Sequence, residues 1–346
     1  MSQDFRSAAK TGAKGRVTMA DVARLAGVSA STVSLWLRAP GQVSADRGAA
    51  IARAVDRLGY VPNRMAGALA SARSDTVGVI VPSLVNSFFA ATVTALQARL
   101  ARAGLVTLIG HTDYDQDEEA ALVRTFLSYT PAALVLTGLA HRPETRRMLA
   151  AATLPVVEMW EAGDGAEDMS AGFSHARAGR MQARHLIDRG ARRLAFIGAR
   201  LAQDRRAAAR ADGAAEAAEA AGLPPPERLD LPEAGAGAAA RALGARLGLG
   251  APADGLIFSN DTLALGGLFA AQRAGLSVPG QVMLIGFGGL DPAAAAAPAI
   301  STVVPPHAGI GEAAAEMILA RRAGQSPAAE RRLPLRLEAR ESTARP

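Results

Sequence analysis

Apolar and polar positions follow two rhythms along this chain. Up to residue 62 the apolar residues recur at helical spacing. Val22, Leu25 and Ala26 share one face behind Thr18, which is placed as an N-cap with Asp21 three residues on. Gly27 stands where that helix must stop. Ser29 caps a second helix whose inward positions are Val33 and Leu37, with Trp36 beside them. A third opens at Ser44 and buries Ile51, Ala54, Val55 and Leu58. Beyond residue 75 short apolar runs take over, at Val77–Val81, Leu105–Ile109, Ala133–Leu136, Val156–Met159, Leu194–Ile197, Gly255–Phe258, Met283–Phe287 and Thr302–Val304. Between most of them lie helical stretches such as Ala90–Ala103, Glu118–Ser128, Gly179–Asp188 and Thr262–Ala274.

The second rhythm predicts parallel sheets covered on both faces. Two such sheets side by side place a ligand cleft at the carboxyl ends of their strands. The first rhythm predicts two short helices joined by a tight turn, with Ala30, Ser31, Thr32, Ser34 and Leu35 at the outward start of the second. A helix with so small an N-terminal face fits deep in a DNA major groove, although an ordinary helical hairpin gives the same spacing.

Charge separates these readings. Residues 1–74 carry eleven Arg or Lys against four Asp or Glu, so the positive charge lies with the helical segment and the rest is near −1 of the total +6. Lys10 and Lys14 are the only lysines, and with abundant Ala and Gly this points to a coding bias, so arginine number alone says little. The absence of Cys removes disulfides, thiol catalysis and Cys-based zinc sites. There is no apolar run of membrane length and no apolar leader after Met1, so a cytoplasmic protein without membrane contact is expected.

Enzyme signatures are missing. No phosphate-binding loop, nucleophile elbow or H-E-x-x-H occurs, and Gly286-Phe287-Gly288-Gly289 is not a dinucleotide fingerprint. His111, His141, His175, His185 and His307 lack metal-ligand spacing, and Asp113, Asp115, Asp117, Glu118 and Glu119 read as a solvated helix start. Neither a metal nor a cofactor is expected, and a stand-alone sugar-binding protein is a rival reading of the α/β part.

The motifs V-T-M-A-D-V-A-R-L-A-G-V-S, S-T-V-S, V-S-A-D-R and L-G-Y-V-P-N-R, in this order from Val17, resemble the headpiece and hinge of the LacI/GalR family of transcriptional regulators. The remainder resembles that family's effector core through residues 77–89, 185–198, 258–266, 275–287 and 340–344. S-L-W-L-R, P-S-L-V-N, L-V-L-T-G-L-A-H-R-P and P-V-V-E-M are similar to its gluconate-repressor-like branch. The fold implied is an all-α helix-turn-helix headpiece plus an α/β core of two doubly wound parallel-sheet subdomains, similar to type I periplasmic binding proteins. Expected divisions are a disordered basic tail (1–16), the headpiece (17–62), a hinge helix or linker (63–74) and the core (75–346). Within the core, an N-subdomain takes about 75–190 and 307–334, and a C-subdomain about 191–306 and 335–346.

The resemblance also implies site residues. Ala30, Ser31 and Leu35 would read bases, and Leu35 can touch only a thymine methyl. Thr18, Ser29, Thr32, Ser34, Asn63 and Arg64 would meet the backbone, and Leu69 would wedge into the minor groove. Gly67 weakens that hinge helix by roughly 1 kcal/mol relative to Ala. Ser83, Asn86, Phe88, Phe89, Trp160, Arg177, Arg206, Arg210 and Asn260 would surround the effector, with Phe89 equally suited to stacking on a sugar or packing inside. Gly288 replaces an acid that many sugar-binding relatives use, and Arg177 stands where some place an aspartate. Losing acid and gaining base favours a sugar acid such as gluconate over a neutral sugar. The expected partners are double-stranded operator DNA, that effector, and a second copy of the chain in a homodimer. The chain stops just after R-E-S-T-A, which favours a dimer over a tetramer.

Overall fold

A reciprocal cap opens the first helix of the computed structural model, which describes residues 17–62, 74–84, 86–247 and 253–344. The expected tail 1–16 and most of the hinge, including Asn63, Arg64 and Leu69, lie outside the described residues. The chain divides between Arg73 and Ser74 into two compact units.

In the first unit the Thr18 hydroxyl accepts the Asp21 amide at 3.3 Å, while the Asp21 carboxylate accepts the Thr18 amide at 3.0 Å. Two orphan donors of α1 (Met19–Ala26) are thereby satisfied. Gly27 ends α1 with φ 67°, a left-handed conformation that favours glycine. Ser29 caps α2 (Ala30–Arg38) by accepting the Thr32 amide at 3.2 Å. With α3 (Ala45–Leu58) these helices enclose Val22, Ala23, Val33, Ile51, Ala54 and Tyr60. Two expectations are corrected. Leu25 is 43% exposed, and Ala23 takes the core place because the buried face runs through 22, 23 and 26. Ser44 stands at the N-cap of α3, but its side chain bonds no helix amide.

The second unit holds two six-stranded sheets. The first contains β1 (Thr76–Val81), β2 (Val106–His111), β3 (Ala133–Thr137), β4 (Val156–Met159), β5 (Met169–Gly172) and β11 (Glu330–Arg332), ordered β11-β5-β4-β3-β1-β2. The second contains β6 (Leu194–Ala199), β7 (Glu227–Leu231), β8 (Gly255–Phe258), β9 (Met283–Phe287), β10 (Ser301–Val304) and β12 (Arg336–Glu338), ordered β12-β10-β9-β8-β6-β7. Every pairing is parallel except β10 with β12.

The helices are α4 (Ser87–Ala101), α5 (Gln116–Ser128), α6 (Pro143–Ala150), α7 (His175–Asp188), α8 (Arg205–Ala220), α9 (Ala236–Leu247), α10 (Asp261–Arg273), α11 (Asp291–Ala294) and α12 (His307–Arg322). β1, β3 and β4 are buried along almost their whole length, as continuous apolar runs in parallel sheets require.

The chain passes between the sheets after β5, after β10 and between β11 and β12. The first passage corrects the expected boundary near residue 190. Helix α7 belongs with the second sheet: Gln182 Nε2 donates to the Phe258 and Gly286 carbonyls at 3.0 and 2.8 Å, and Ala183 and Leu186 join Phe196, Ile257 and Ile285 in one core.

Helices α7 and α8 cross backbone on backbone. A Cβ at Gly179 would meet the Arg210 carbonyl oxygen at 1.8 Å, and one at Gly213 would meet that of Ala176 at 1.9 Å. This crossing fixes Arg210 against the start of α7.

Candidate functional site

Two sites are built in different ways. On the first unit, Ser29 gathers hydroxyls at the start of α2: its Oγ lies 2.8 Å from both Ser31 Oγ and Thr32 Oγ1. Ser29, Ala30 and Ser31 are exposed, and Thr32, Ser34 and Leu35 are half-buried. Beside them a cavity of about 400 Å³ is lined by Ala23, Arg24, Gly27, Val28, Ser29, Thr32 and Arg47. Arginines, hydroxyls and a helix N-terminus together make a surface that takes phosphate oxygens. Arg24 and Arg47 escaped the sequence reading. Their signal is position: Arg24 is three residues from Asp21, with which it pairs at 2.9 Å, and Arg47 lies in the first turn of α3. Thr18 is occupied by Asp21, whose carboxyl its hydroxyl and amide hold below the usual range.

In the second unit the ends of β1, β4, β5, β8 and β9 converge between the two sheets. Asn86 caps α4 by accepting the Phe88 amide at 3.3 Å, and its side chain hydrogen-bonds Tyr114. Phe88 stacks on His307 at 5.5 Å, while Phe89 and Trp160 meet edge to face at 5.0 Å. Trp160 also lies 5.6 Å from His307 and has φ 72°, an uncommon backbone state that marks a constrained position. Asn260 caps α10 by accepting the Leu263 amide at 2.9 Å. Ser83 is half-buried and shares a 3.3 Å bond from the Asn86 amide.

Arg210 occupies the centre. It is 5% exposed, donates from Nη1 to His175 Nδ1 at 2.8 Å and from Nη2 to the Ser259 carbonyl at 2.9 Å, and lies 4.2 Å over the Phe287 ring. Burial pushes its pKa down to about 10, which still leaves it cationic at neutral pH. Arg206 reaches the Thr137 carbonyl at 3.4 Å and the Asp204 carboxylate at 3.9 Å. Glu161 accepts the Leu139 amide at 2.8 Å. At the rim, Arg200 pairs with Asp113 through two 3.2 Å bonds, and both Arg200 and Arg206 lie over Tyr114.

Three buried side-chain nitrogens here have no hydrogen-bond partner: Trp160 Nε1, His307 Nε2 and Arg210 Nε. Burial pushes the His307 pKa down to about 4, so its ring is neutral.

Comparison with known proteins decides the family. Residues 18–63 match the model of bacterial regulatory proteins, lacI family, and residues 183–343 match a periplasmic binding protein-like domain. The HTH-type transcriptional regulator GntR of Pseudomonas aeruginosa is 41% identical over 313 residues, spanning 90% of this chain and 91% of that protein. The chain belongs to the lacI family of bacterial regulatory proteins.

GntR of Escherichia coli K12 is 34% identical over 90% of this chain and 94% of its own. A lacI-family regulator from Silicibacter pomeroyi has 33% identity and a TM-score of 0.89, covering 95% of this chain and all of its own. The operator-bound lac repressor dimer, at 24% identity and a TM-score of 0.81 over 95% of this chain, shares the fold. As a lacI-family member this protein is a DNA-binding transcriptional regulator, and its relatives are regulators rather than enzymes. Among the described residues, no helix is long and apolar enough to cross a membrane.

The structure sorts the effector residues expected of such a regulator. Asn86, Phe88, Phe89, Trp160 and Asn260 lie at these strand ends or on the helices that follow them, and Arg206 and Arg210 lie on α8, which follows β6. Arg177 does not join their hydrogen-bond network: it is exposed on the first turn of α7, and its backbone amide donates to Ser174. Gly288 has φ 129°, and a Cβ there would lie 2.0 Å from Phe88 Cζ. The Phe88 ring thus fills the space that a side chain at 288 would take. Tyr114, His175 and His307 were not anticipated, because they reach the site only through contacts distant in sequence.

Proposed function

We propose that this regulator is a homodimeric repressor of sugar-acid catabolism genes whose operator affinity is lowered by a gluconate-like anion bound between the two sheets. The observation that carries the anionic reading is Arg210. Its hydrogen-bond partners, His175 and Ser259, are neutral, and among the described residues it has no ion pair within 4.0 Å. The carboxylates that favour its charge, those of Asp204 and Glu161, are more distant; so weakly compensated a buried cation is costly, and a carboxylate ligand would supply a direct partner with bidentate geometry. Phe88, Phe89, Trp160 and His307 offer apolar faces to the carbon skeleton, as small-molecule sites require.

In this reading Ala30, Ser31 and Leu35 meet base edges, while Thr18, Ser29, Thr32, Ser34, Arg24 and Arg47 meet backbone phosphates. Asn63, Arg64 and Leu69 act at the operator centre, and the protein works in the cytoplasm. A second copy is supported by β2, an edge strand of a parallel sheet that leaves Val106, Leu108 and Ile109 exposed at 51%, 38% and 38%. Val106→Asp with Leu108→Asp is expected to give monomers in light scattering.

Calorimetric titration with gluconate, a keto-gluconate and glucose tests the effector. The two acids are expected to bind and glucose to bind more weakly. A preference for glucose refutes the anionic reading.

A further inference from the structure

One buried side chain ties Arg210 to the other sheet. His175, the first residue of α7, is 4% exposed, with its ring 4.5 Å from Phe173 and 6.1 Å from Phe287. Its Nε2 lies 3.0 Å from the Trp160 carbonyl oxygen, and its Nδ1 lies 2.8 Å from Arg210 Nη1. A carbonyl only accepts and a guanidinium only donates. The ring must therefore carry its proton on Nε2 and offer the Nδ1 lone pair to Arg210. The other tautomer breaks both bonds, and the imidazolium breaks the one to Arg210.

The two ends of this bridge belong to different subdomains. Trp160 follows β4 of the first sheet, and Arg210 lies on α8 beside the second. The Trp160 carbonyl belongs to the residue at φ 72°, whose ring touches Phe89 and His307. Arg210 is held in turn by the Ser259 carbonyl and the Phe287 face. A continuous path runs Trp160, His175, Arg210, Ser259.

We propose that His175 is a positioning residue: locked as the Nε2–H tautomer, it aims the Arg210 guanidinium at an anionic effector and registers it to Trp160 across the subdomains. This inference rests on the reading of Arg210 as the anion-binding group. Burial first, then Arg210 and Arg206, hold the His175 pKa well below its ordinary value, so the lone pair stays available through neutral pH.

Two measurements on the full chain test it. Long-range proton–nitrogen NMR of the histidine rings should show His175 protonated at Nε2 and bare at Nδ1, with the Nδ1 signal displaced in Arg210→Gln. Gluconate calorimetry should show about a 10-fold or greater loss of affinity in His175→Leu, as expected for a lost bond to a charged group. His175→Gln, which can donate and accept at once, should recover most of that loss. Melting temperatures of the same samples separate misfolding from mispositioning.

A ring protonated at Nδ1, or a folded His175→Leu that binds gluconate like the wild type, overturns the inference. If Arg210→Gln keeps wild-type gluconate affinity, the anionic reading itself fails, and the NMR result alone decides whether His175 positions Arg210. If His175→Leu does not fold, the wild-type tautomer decides.

Discussion

The DNA-facing unit and the effector core solve opposite problems. Around α1 and α2 the determining bonds are local: Thr18 to Asp21 and Ser29 to Thr32 each span three residues and remain exposed. Around Arg210 they are distant and buried: His175 to Arg210 spans 35 residues and Arg210 to Ser259 spans 49, while nearby the part-buried bond from Thr92 to the His307 carbonyl spans 215. An exposed, locally specified surface is open to a large polyanion without rearrangement of a core. A buried site assembled from far apart can respond as a unit when a small molecule enters. Under the proposed function, DNA reading and effector sensing each sit where that kind of bonding serves them.

The largest expected break lies in the core. His141 donates from both ring nitrogens to carboxylates, Glu119 at 2.7 Å and Glu158 at 3.0 Å, with Glu158 fully buried. Burial opposes its charge, but the two glutamates outweigh burial and raise its pKa from 6.5 to about 9. His141→Leu strands buried carboxylates and should destabilise the core by about 3–5 kcal/mol in thermal unfolding. A raised folded-state pKa contributes fully below the unfolded value and is lost as pH climbs through the folded one. Core stability should therefore decline between pH 6.5 and about 9. The headpiece has the opposite sign, because Asp21 is lowered and its contribution disappears only on acidification.

Next in size is Arg210→Gln, expected to weaken gluconate binding by about 10- to 100-fold without changing effector-free operator affinity. Ser29→Ala removes one cap of α2 and should cost the headpiece about 1 kcal/mol, read in its own melting transition. The smallest effect belongs to the rim. Asp113 is 70% exposed in its pair with Arg200, so Asp113→Asn should shift gluconate affinity by less than about 1 kcal/mol, and less still in high salt.

Legibility in the sequence follows the same divide. The capped helices and the Gly27 turn could be read because a few neighbouring residues decide them. Seven of the eight apolar strands could be read because parallel strands buried on both faces are continuous apolar runs, and β2 because its edge is apolar although exposed. β5, β7, β11 and β12 could not: they are three to five residues long, and β7, β11 and β12 are edge strands rich in charge. Arg210, Phe88 and Trp160 were named through the family pattern, but nothing near His175 or His307 announces the partners each meets. Arg177 was named through the same pattern and is exposed on the first turn of α7, outside the hydrogen-bond network around Arg210.

If an anion between the two sheets controls the DNA-reading headpiece, linkage makes that control directly measurable. If gluconate lowers operator affinity by some factor, operator must lower gluconate affinity by the same factor. Operator fragments selected from genomic DNA should be titrated with the protein with and without gluconate, and gluconate with and without the fragment. Equal and opposite factors, both abolished in Arg210→Gln, are the predicted result. An operator affinity that gluconate leaves unchanged, or a factor that survives Arg210→Gln, would contradict the account.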